Sequence, residues 1–254
     1  MKSIHARNRY APASLSTFSR PSHPPPSTSP PGAFGEYFAV DCADYQILLA
    51  DHSELLRARV AQLIEKLYAT RGLTASHADL PARNGQTTLA ACRDGTDHVF
   101  GTVTLGLDSP DGLFADELYH EQIDDVRRTG GRVCEVTRLA LDPEFGSSRV
   151  LAELFHLVFI LARLVHGMTD LFAEVHPRHS SYYQRMLGYR VAGPERVCPR
   201  VGAPAVLLQI SLREVEQRIR LRDEERSLYR QFFPLETQWR LFEQLREYPC
   251  GLPS

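Results

Sequence analysis

Three residues in the stretch Gly131–Leu141, GRVCEVTRLAL, carry groups that a buried strand does not ordinarily contain: Glu135, Thr137 and Arg138. A carboxylate can take a proton, a hydroxyl can orient water or substrate, and a guanidinium fork can grip a carboxylate. The surrounding residues are apolar, β-branched and few, so the stretch is expected to be a buried strand. A charge there is costly unless it is paired or used. Strand alternation puts Glu135, Thr137 and Leu139 on one face and Val136, Arg138 and Ala140 on the other. Glu135 is the candidate base, with a structural reading as partner of Arg138 or another cation. Thr137 reads equally as an orienting hydroxyl or an ordinary strand residue. Arg138 reads as a substrate grip or half of a buried ion pair.

A second group, Glu174, His176, Arg178 and His179, falls at the C-terminal end of a predicted strand, where open sheets gather ligands. Arg178 and His179 are candidate substrate contacts. The cluster offers too few ligands for a metal, and no metal site is expected. Tyr182 and Tyr183 follow. Arg200, in the proline-framed segment CPRVGAP, is a further candidate for a substrate carboxylate. Cys134 and Cys198 lack a Cys–His–acid arrangement and read as small core residues.

The elements that must position these groups can be read in order. Residues 1–36 are Pro- and Ser-rich with a single acidic residue at the end, so a disordered tail is expected. Tyr45–Ala50 reads as a strand and Ser53–Thr70 as an amphipathic helix with Leu56, Val60, Leu63, Ile64 and Leu67 on one face. Thr87–Arg93 and His98–Leu107 form a hairpin around Asp94-Gly95. A polar helix over Ala115–Arg128 precedes the strand Arg132–Leu141. A turn then leads into Arg149–Val165, an almost wholly apolar helix with a polar stripe of Arg149, Glu153, His156 and Arg163. Asp170–Val175, a short helix Ser180–Leu187, Tyr189–Val191 and Val206–Leu212 complete the domain 37–212. Residues 213–254 read as a C-terminal helical extension. The fold class is α+β (α/β-like): a central mixed, twisted sheet covered by helices, with that appendage.

The totals exclude several classes. A net charge of −2 gives no global attraction to nucleic acid, and no such partner is expected. Five scattered cysteines form no CxxC pair, which argues against a zinc site or disulfide framework and for a reducing cytoplasm. No apolar run reaches the ~18–20 residues of a membrane span. Peripheral membrane contact stays open, and no secretory signal is expected.

The strings CEVTRLALDPEF, TDLFAEVHPRHSSYYQRMLGY, CPRVGAPAVLL and SLYRQFF, in that order, resemble the long-chain N-acyl amino acid synthases. That family is a bacterial branch of the GNAT-type acyltransferase fold, related to the acyl-homoserine lactone synthases. The resemblance covers about residues 37–235. It implies transfer of a fatty acyl group from an acyl carrier protein thioester to the α-amine of an amino acid, with no cofactor beyond the donor's phosphopantetheine. It implies Glu135 as base with Thr137 beside it, and backbone donors for the thioester at Leu139, Ala140 and Leu141. Ser147, Ser148 and Arg149 would meet the phosphate, and Leu151, Phe155, Val158 and Phe159 would line an acyl tunnel. Arg138, Arg178, His179, Tyr183 and Arg200 would serve the acceptor. Tyr183 lies one residue early for the thiolate-protonating tyrosine of the fold. The turn Glu144–Arg149 lacks the glycine-rich cradle of acyl-CoA users, which favours a carrier-protein donor over acyl-CoA. A basic docking patch of Arg127, Arg128, Arg132 and Arg149 would suit an acidic carrier. Rival readings are a lactone-type signal synthase, an acyl-CoA-dependent N-acetyltransferase and a non-catalytic acyl-binding module.

Overall fold

The computed structural model describes residues 38–73, 85–221 and 227–247. The Pro/Ser-rich tail expected over residues 1–36 lies outside them. The chain opens with β1, Ala39–Asp41, and β2, Tyr45–Leu49. Helix α1, Glu54–Ala69, starts at Ser53, whose Oγ accepts from the Leu56 N–H at 3.2 Å. The residues buried on α1 are Leu56, Val60, Leu63, Ile64 and Leu67, the set spaced for one helical face. β3, Gln86–Arg93, and β4, Val99–Leu107, pair antiparallel. They are followed by α2, Asp116–Arg128, and β5, Val133–Leu141. Helix α3, Ser148–Phe159, runs into a π-helical turn, Ile160–Val165. Then come β6, Asp170–Val175; α4, Pro177–Leu187; β7, Arg190–Val191; β8, Arg196–Cys198; and β9, Ala203–Ser211. Helix α5, Leu212–Leu221, a 3-10 turn, Leu228–Gln231, and α6, Leu235–Arg246, close the described chain.

The strands form one mixed sheet in the order β1-β2-β3-β4-β5-β6-β9-β7, with β8 paired to β9. Neighbours are antiparallel except β5 and β6, which are parallel. One face packs on α3 and the elements after it, joining Cys134 and Val136 to Phe155, Leu157, Tyr229 and Leu241. The opposite face carries two smaller clusters, one beneath α1 and one beneath α2. Among the described residues, no helix is long and apolar enough to cross a membrane.

Three local expectations change. The helix expected to run α-helically to Val165 widens to π geometry after Phe159, with the His166 N–H bonded to the Leu161 carbonyl five residues back. Helix α4 begins at Pro177, three residues earlier than expected. His176 caps it through Nδ1, which accepts the Arg178 N–H at 3.2 Å, and proline suits the first helical position. A short strand not expected from the sequence, β8, leads into the proline-framed segment and pairs with the start of β9, where Pro204 needs no ladder N–H.

The polar stripe of α3 is an internal clamp. The buried Glu153 carboxylate accepts from the Tyr45 hydroxyl, from Cys42 Sγ at 3.2 Å and from Arg149 Nε at 2.9 Å. The fully buried His156 accepts the Phe233 N–H on Nδ1 at 2.9 Å, which places its proton on Nε2, 2.8 Å from Gln238 Oε1. Its ring stacks on Phe232 and Phe233 at 4.6 and 5.5 Å. Through this histidine, the residues after Leu228 are fastened to the domain's main core.

Candidate active site

The organising feature is a bulge in β5. Thr102 pairs with Ala140 and Thr104 with Thr137, so three steps on β5 answer two on β4. Arg138 takes up the extra residue with φ of 51°, the left-handed region that few side chains adopt. Simple alternation therefore fails beyond Thr137. Arg138 turns onto the face that carries Glu135, its guanidinium 5.4 Å from the Phe114 ring centre and 3.3 Å from Gln86 Oε1. Ala140 joins that face beneath α1, while Leu139 and Leu141 pass to the α3 side. The expected grouping of Leu139 with Glu135, and of Arg138 with Val136, is thus reversed by one inserted residue.

Glu135 is 3% exposed. Its Oε1 accepts the Phe114 N–H at 2.7 Å and its Oε2 the Ala115 N–H at 3.1 Å, both at the entrance to α2. Opposite it on β4 stands Gly106, where a Cβ would lie 3.2 Å from the Glu135 Cγ. Glycine leaves the carboxylate its room. Burial pushes the carboxyl up from 4.5 to about 7, against the two N–H groups and Arg200, and Glu174 adds to the rise. Glu135 does not pair with Arg138. It is at once the anchor of the loop before α2 and an acid poised near neutrality.

Arg200 reaches the same loop from the segment between β8 and β9. Its Nη1 donates to the Phe114 carbonyl at 2.6 Å and to Glu117 Oε2 at 2.8 Å, and its Nη2 pairs with Glu174. Two guanidiniums lie over the Phe114 ring, Arg200 at 5.5 Å and Arg138 at 5.4 Å from its centre. Arg200 is therefore engaged by protein groups where the sequence offered it to a substrate. Phe114 was not legible as a site residue. Its part is played by its backbone and ring, and an aromatic residue ahead of a helix carries no such signal.

Beside this cluster the sheet opens. The parallel pairing of β5 and β6 ends at Val136 with Ala173, although β5 continues to Leu141 and β6 to Val175. On its other side this part of β5 stays joined to β4 through Ala140 and Leu141. The edges of residues 137–141 and 174–175 that face each other across the gap are thus free of ladder pairing. Leu139, Ala140 and Leu141 sit on that edge. Thr137, the first residue past the pairing, is half-buried, and its Oγ1 is buried without a hydrogen-bond partner among the described residues.

Other candidates lie around this centre. Ser147 caps α3, its Oγ accepting the Val150 N–H at 3.3 Å, and the exposed Ser148 donates to Gln231 Oε1 at 3.0 Å. Arg149 is exposed but tied to Glu153. A cavity of about 230 Å³ is lined by Arg149, Glu153, Gln231, Phe232, Phe233 and Pro234. Leu151, Phe155, Val158 and Phe159 belong to the main core and do not line it. Tyr183 stands in a chain of rings with Phe155 at 6.2 Å and Tyr189 at 5.8 Å, and burial raises its phenol well above the ordinary value. Arg178 and His179 are exposed and bonded to each other at 3.0 Å, so the expected Glu174–His179 cluster divides. The expected basic patch is neutralised in part: Arg127 pairs with Asp108, Asp116 and Asp124, and Arg128 with Asp125.

An open strand pair beside a carboxyl poised near neutrality suits acyl transfer to an amine, and the sequence agrees. The model of the N-acyl amino acid synthase FeeM family matches residues 59–211. The chain belongs to the FeeM N-acyl amino acid synthase family. It is an N-acyltransferase. Among solved structures it is similar to FeeM, an N-acyl amino acid synthase from uncultured soil microbes, with a TM-score of 0.59 and 23% identity over 67% of this chain and 97% of that one. It is also similar to a protein described as an N-acetyltransferase from Lactobacillus plantarum, with a TM-score of 0.50 and 16% identity over 67% and 99%. The AHL synthase LasI aligns with a TM-score of 0.47 and 16% identity over 69% and 91%. A search of curated proteins found no match. The first two likenesses give the α+β GNAT fold; the family membership gives the class of reaction.

Proposed function

We propose that this family member moves a long-chain fatty acyl group from the phosphopantetheine thioester of an acyl carrier protein to the α-amine of an amino acid, in the cytoplasm and without a resident cofactor. The observation that carries the reading is the buried Glu135 carboxyl, poised near pH 7, at the edge of the split between β5 and β6. The thioester would enter the split, its carbonyl oxygen facing backbone N–H groups of Leu139–Leu141. Glu135, directly or through a water, takes one proton from the substrate ammonium. The neutral amine attacks the thioester carbon, the C–N bond forms and the C–S bond breaks. The departing thiolate takes the second proton from nitrogen, and Glu135 returns its own to solvent.

Two features support a carrier-protein donor. The turn before α3 has no spare room: a Cβ at Gly146 would collide with Leu141 and lie 2.7 Å from the Asp142 carbonyl. The helix N-terminus is already capped by its own Ser147, which leaves less of it to a pyrophosphate. A single phosphopantetheine phosphate asks for less. The apolar face of the split, with Leu139 and Leu141 packed against the main core, suits a hydrocarbon chain.

Expression in a bacterial host, followed by lipid mass spectrometry, tests the reading. New long-chain N-acyl amino acids are expected with the native chain and at least about 100-fold less with Glu135→Gln. In vitro, the acyl carrier thioester should outperform the matching acyl-CoA. Unchanged product from the variant, acyl-CoA as the better donor, or a product formed only with S-adenosylmethionine would overturn it.

A further inference from the structure

Glu174 is the residue at the split whose chemistry is unaccounted for. Its side chain is 10% exposed. One oxygen pairs with Arg200, while Oε1 is buried and has no partner among the described residues. A buried carboxylate oxygen left bare is expensive, and such atoms are few in native structures. Thr137 Oγ1 is in the same position.

The strand register brings these two atoms' residues together. Glu135 pairs with Phe172 and Val136 with Ala173 in parallel register, so Thr137 and Glu174 are the next pair, the first to face each other across the opening. Phe172 lies in the cluster beneath α2, and alternation returns Glu174 to that face. Thr137 lies on the Glu135 face by the same rule, ahead of the bulge. Glu174's bond to Arg200, which also holds the loop before α2, agrees with this placement. Three oxygen-bearing side chains, Glu135, Thr137 and Glu174, therefore rim one side of the split.

Two of their oxygens, Glu174 Oε1 and Thr137 Oγ1, lack a donor among the described residues. A ligand group that satisfies both needs at least two hydrogen-bond donors, and one that faces a carboxylate is held more strongly when it carries a positive charge. A primary ammonium has three such donors in compact form. We propose that Glu174 and Thr137 form the amine subsite of this N-acyltransferase: Glu174 Oε1 and Thr137 Oγ1 hold the acceptor's ammonium beside Glu135, which removes the proton. This rests on the amino-acid acceptor argued above and adds the residues that select for its amine. Arg200 keeps the remaining Glu174 oxygen fixed, so that the carboxylate offers a single directed acceptor.

The test uses the full chain, an acyl carrier thioester and the amino acid that the native protein acylates best. The corresponding 2-hydroxy acid, which lacks the ammonium, serves as a competitive inhibitor. Glu174→Gln should raise the KM for the amino acid about 30-fold, from loss of a charged hydrogen bond, and leave inhibition by the hydroxy acid within about twofold. Thr137→Val should raise the KM about fivefold in the same selective way. Glu117→Gln, which removes another Arg200 partner on the exposed side, should leave both constants unchanged. Equal weakening of amino acid and hydroxy acid by Glu174→Gln would mean that Glu174 only holds Arg200, and the inference would fall. It would fall also if neither Glu174→Gln nor Thr137→Val changed the amino-acid KM. A native protein that acylates no amino acid would instead overturn the function on which the subsite rests.

Discussion

Glu135→Gln separates proton transfer from architecture, because glutamine keeps the length of the side chain and loses its titration. In the native chain burial lifts the carboxyl from 4.5 to about 7. At about 1.4 kcal/mol per pH unit, that rise corresponds to about 3 kcal/mol. The folded state holds the proton more tightly than the unfolded one. Glu135's contribution is therefore fully present below about pH 4.5, is lost as pH rises toward 7, and stays constant above that. The glutamine contributes no such slope. It has its own cost, about 1–3 kcal/mol, because its amide NH2 must face one of the N–H groups of Phe114 and Ala115. Subtracting the variant's unfolding free energy from the native one, measured in urea from pH 4 to 8, should give a difference that falls by about 3 kcal/mol and levels near pH 7. The rising limb of kcat/KM near pH 7 should vanish in the variant, with a drop of about 10²–10⁴-fold. A pH-independent stability difference would refute the reasoning, since Glu135 would then titrate like an exposed carboxyl and could not serve as a base tuned to neutrality.

Gly106→Ala would set a Cβ 3.2 Å from the Glu135 Cγ and 3.4 Å from Oε1, and the carboxylate is pinned by two N–H groups. A roughly tenfold fall in kcat/KM is expected in steady-state assays, with little change in melting temperature. Arg138→Gly should cost less than about 1 kcal/mol in thermal unfolding, because relief of the positive φ offsets the lost stacking on Phe114. Arg138→Val should cost about 2 kcal/mol more, since a β-branched residue resists that backbone. His156→Ala should remove about 3 kcal/mol by urea unfolding. Hydrogen exchange should then show Leu228–Arg246 opening ahead of the sheet, because the histidine joins α3 to Phe233 and Gln238.

The elements were legible where local pattern and tertiary demand agree. Helix α1 has its cap at Ser53 and its apolar face at the expected residues, and the β3–β4 hairpin turns at Asp94-Gly95. Helix α4 starts ahead of Ser180 because a proline after a strand suits a stop as well as a first helical position, and the local sequence does not separate the two. The π turn after Phe159 has no counterpart in the residue pattern, since Ile, Leu and Ala suit an α-helix as well. Likewise, the polar residues of α3 read as a stripe, although their partners, Tyr45, Gln238 and the Phe233 backbone, come from distant parts of the chain.

The opening stretch of β5 divides in the same way. By itself the sequence determined that a carboxylate, a hydroxyl and a guanidinium sit in a short apolar strand, and that such a strand must use or pair them. That follows from residue type and the cost of burying charge. Only the tertiary structure decided which of them meet. One inserted residue at Arg138 turns a side chain to the opposite face, and the end of pairing at Val136 and Ala173 leaves Thr137 facing Glu174. Loops distant in sequence bring Phe114 and Arg200 to Glu135's side. Bulges, register and loop contacts arise from the packing of the whole sheet, so no local spacing records them.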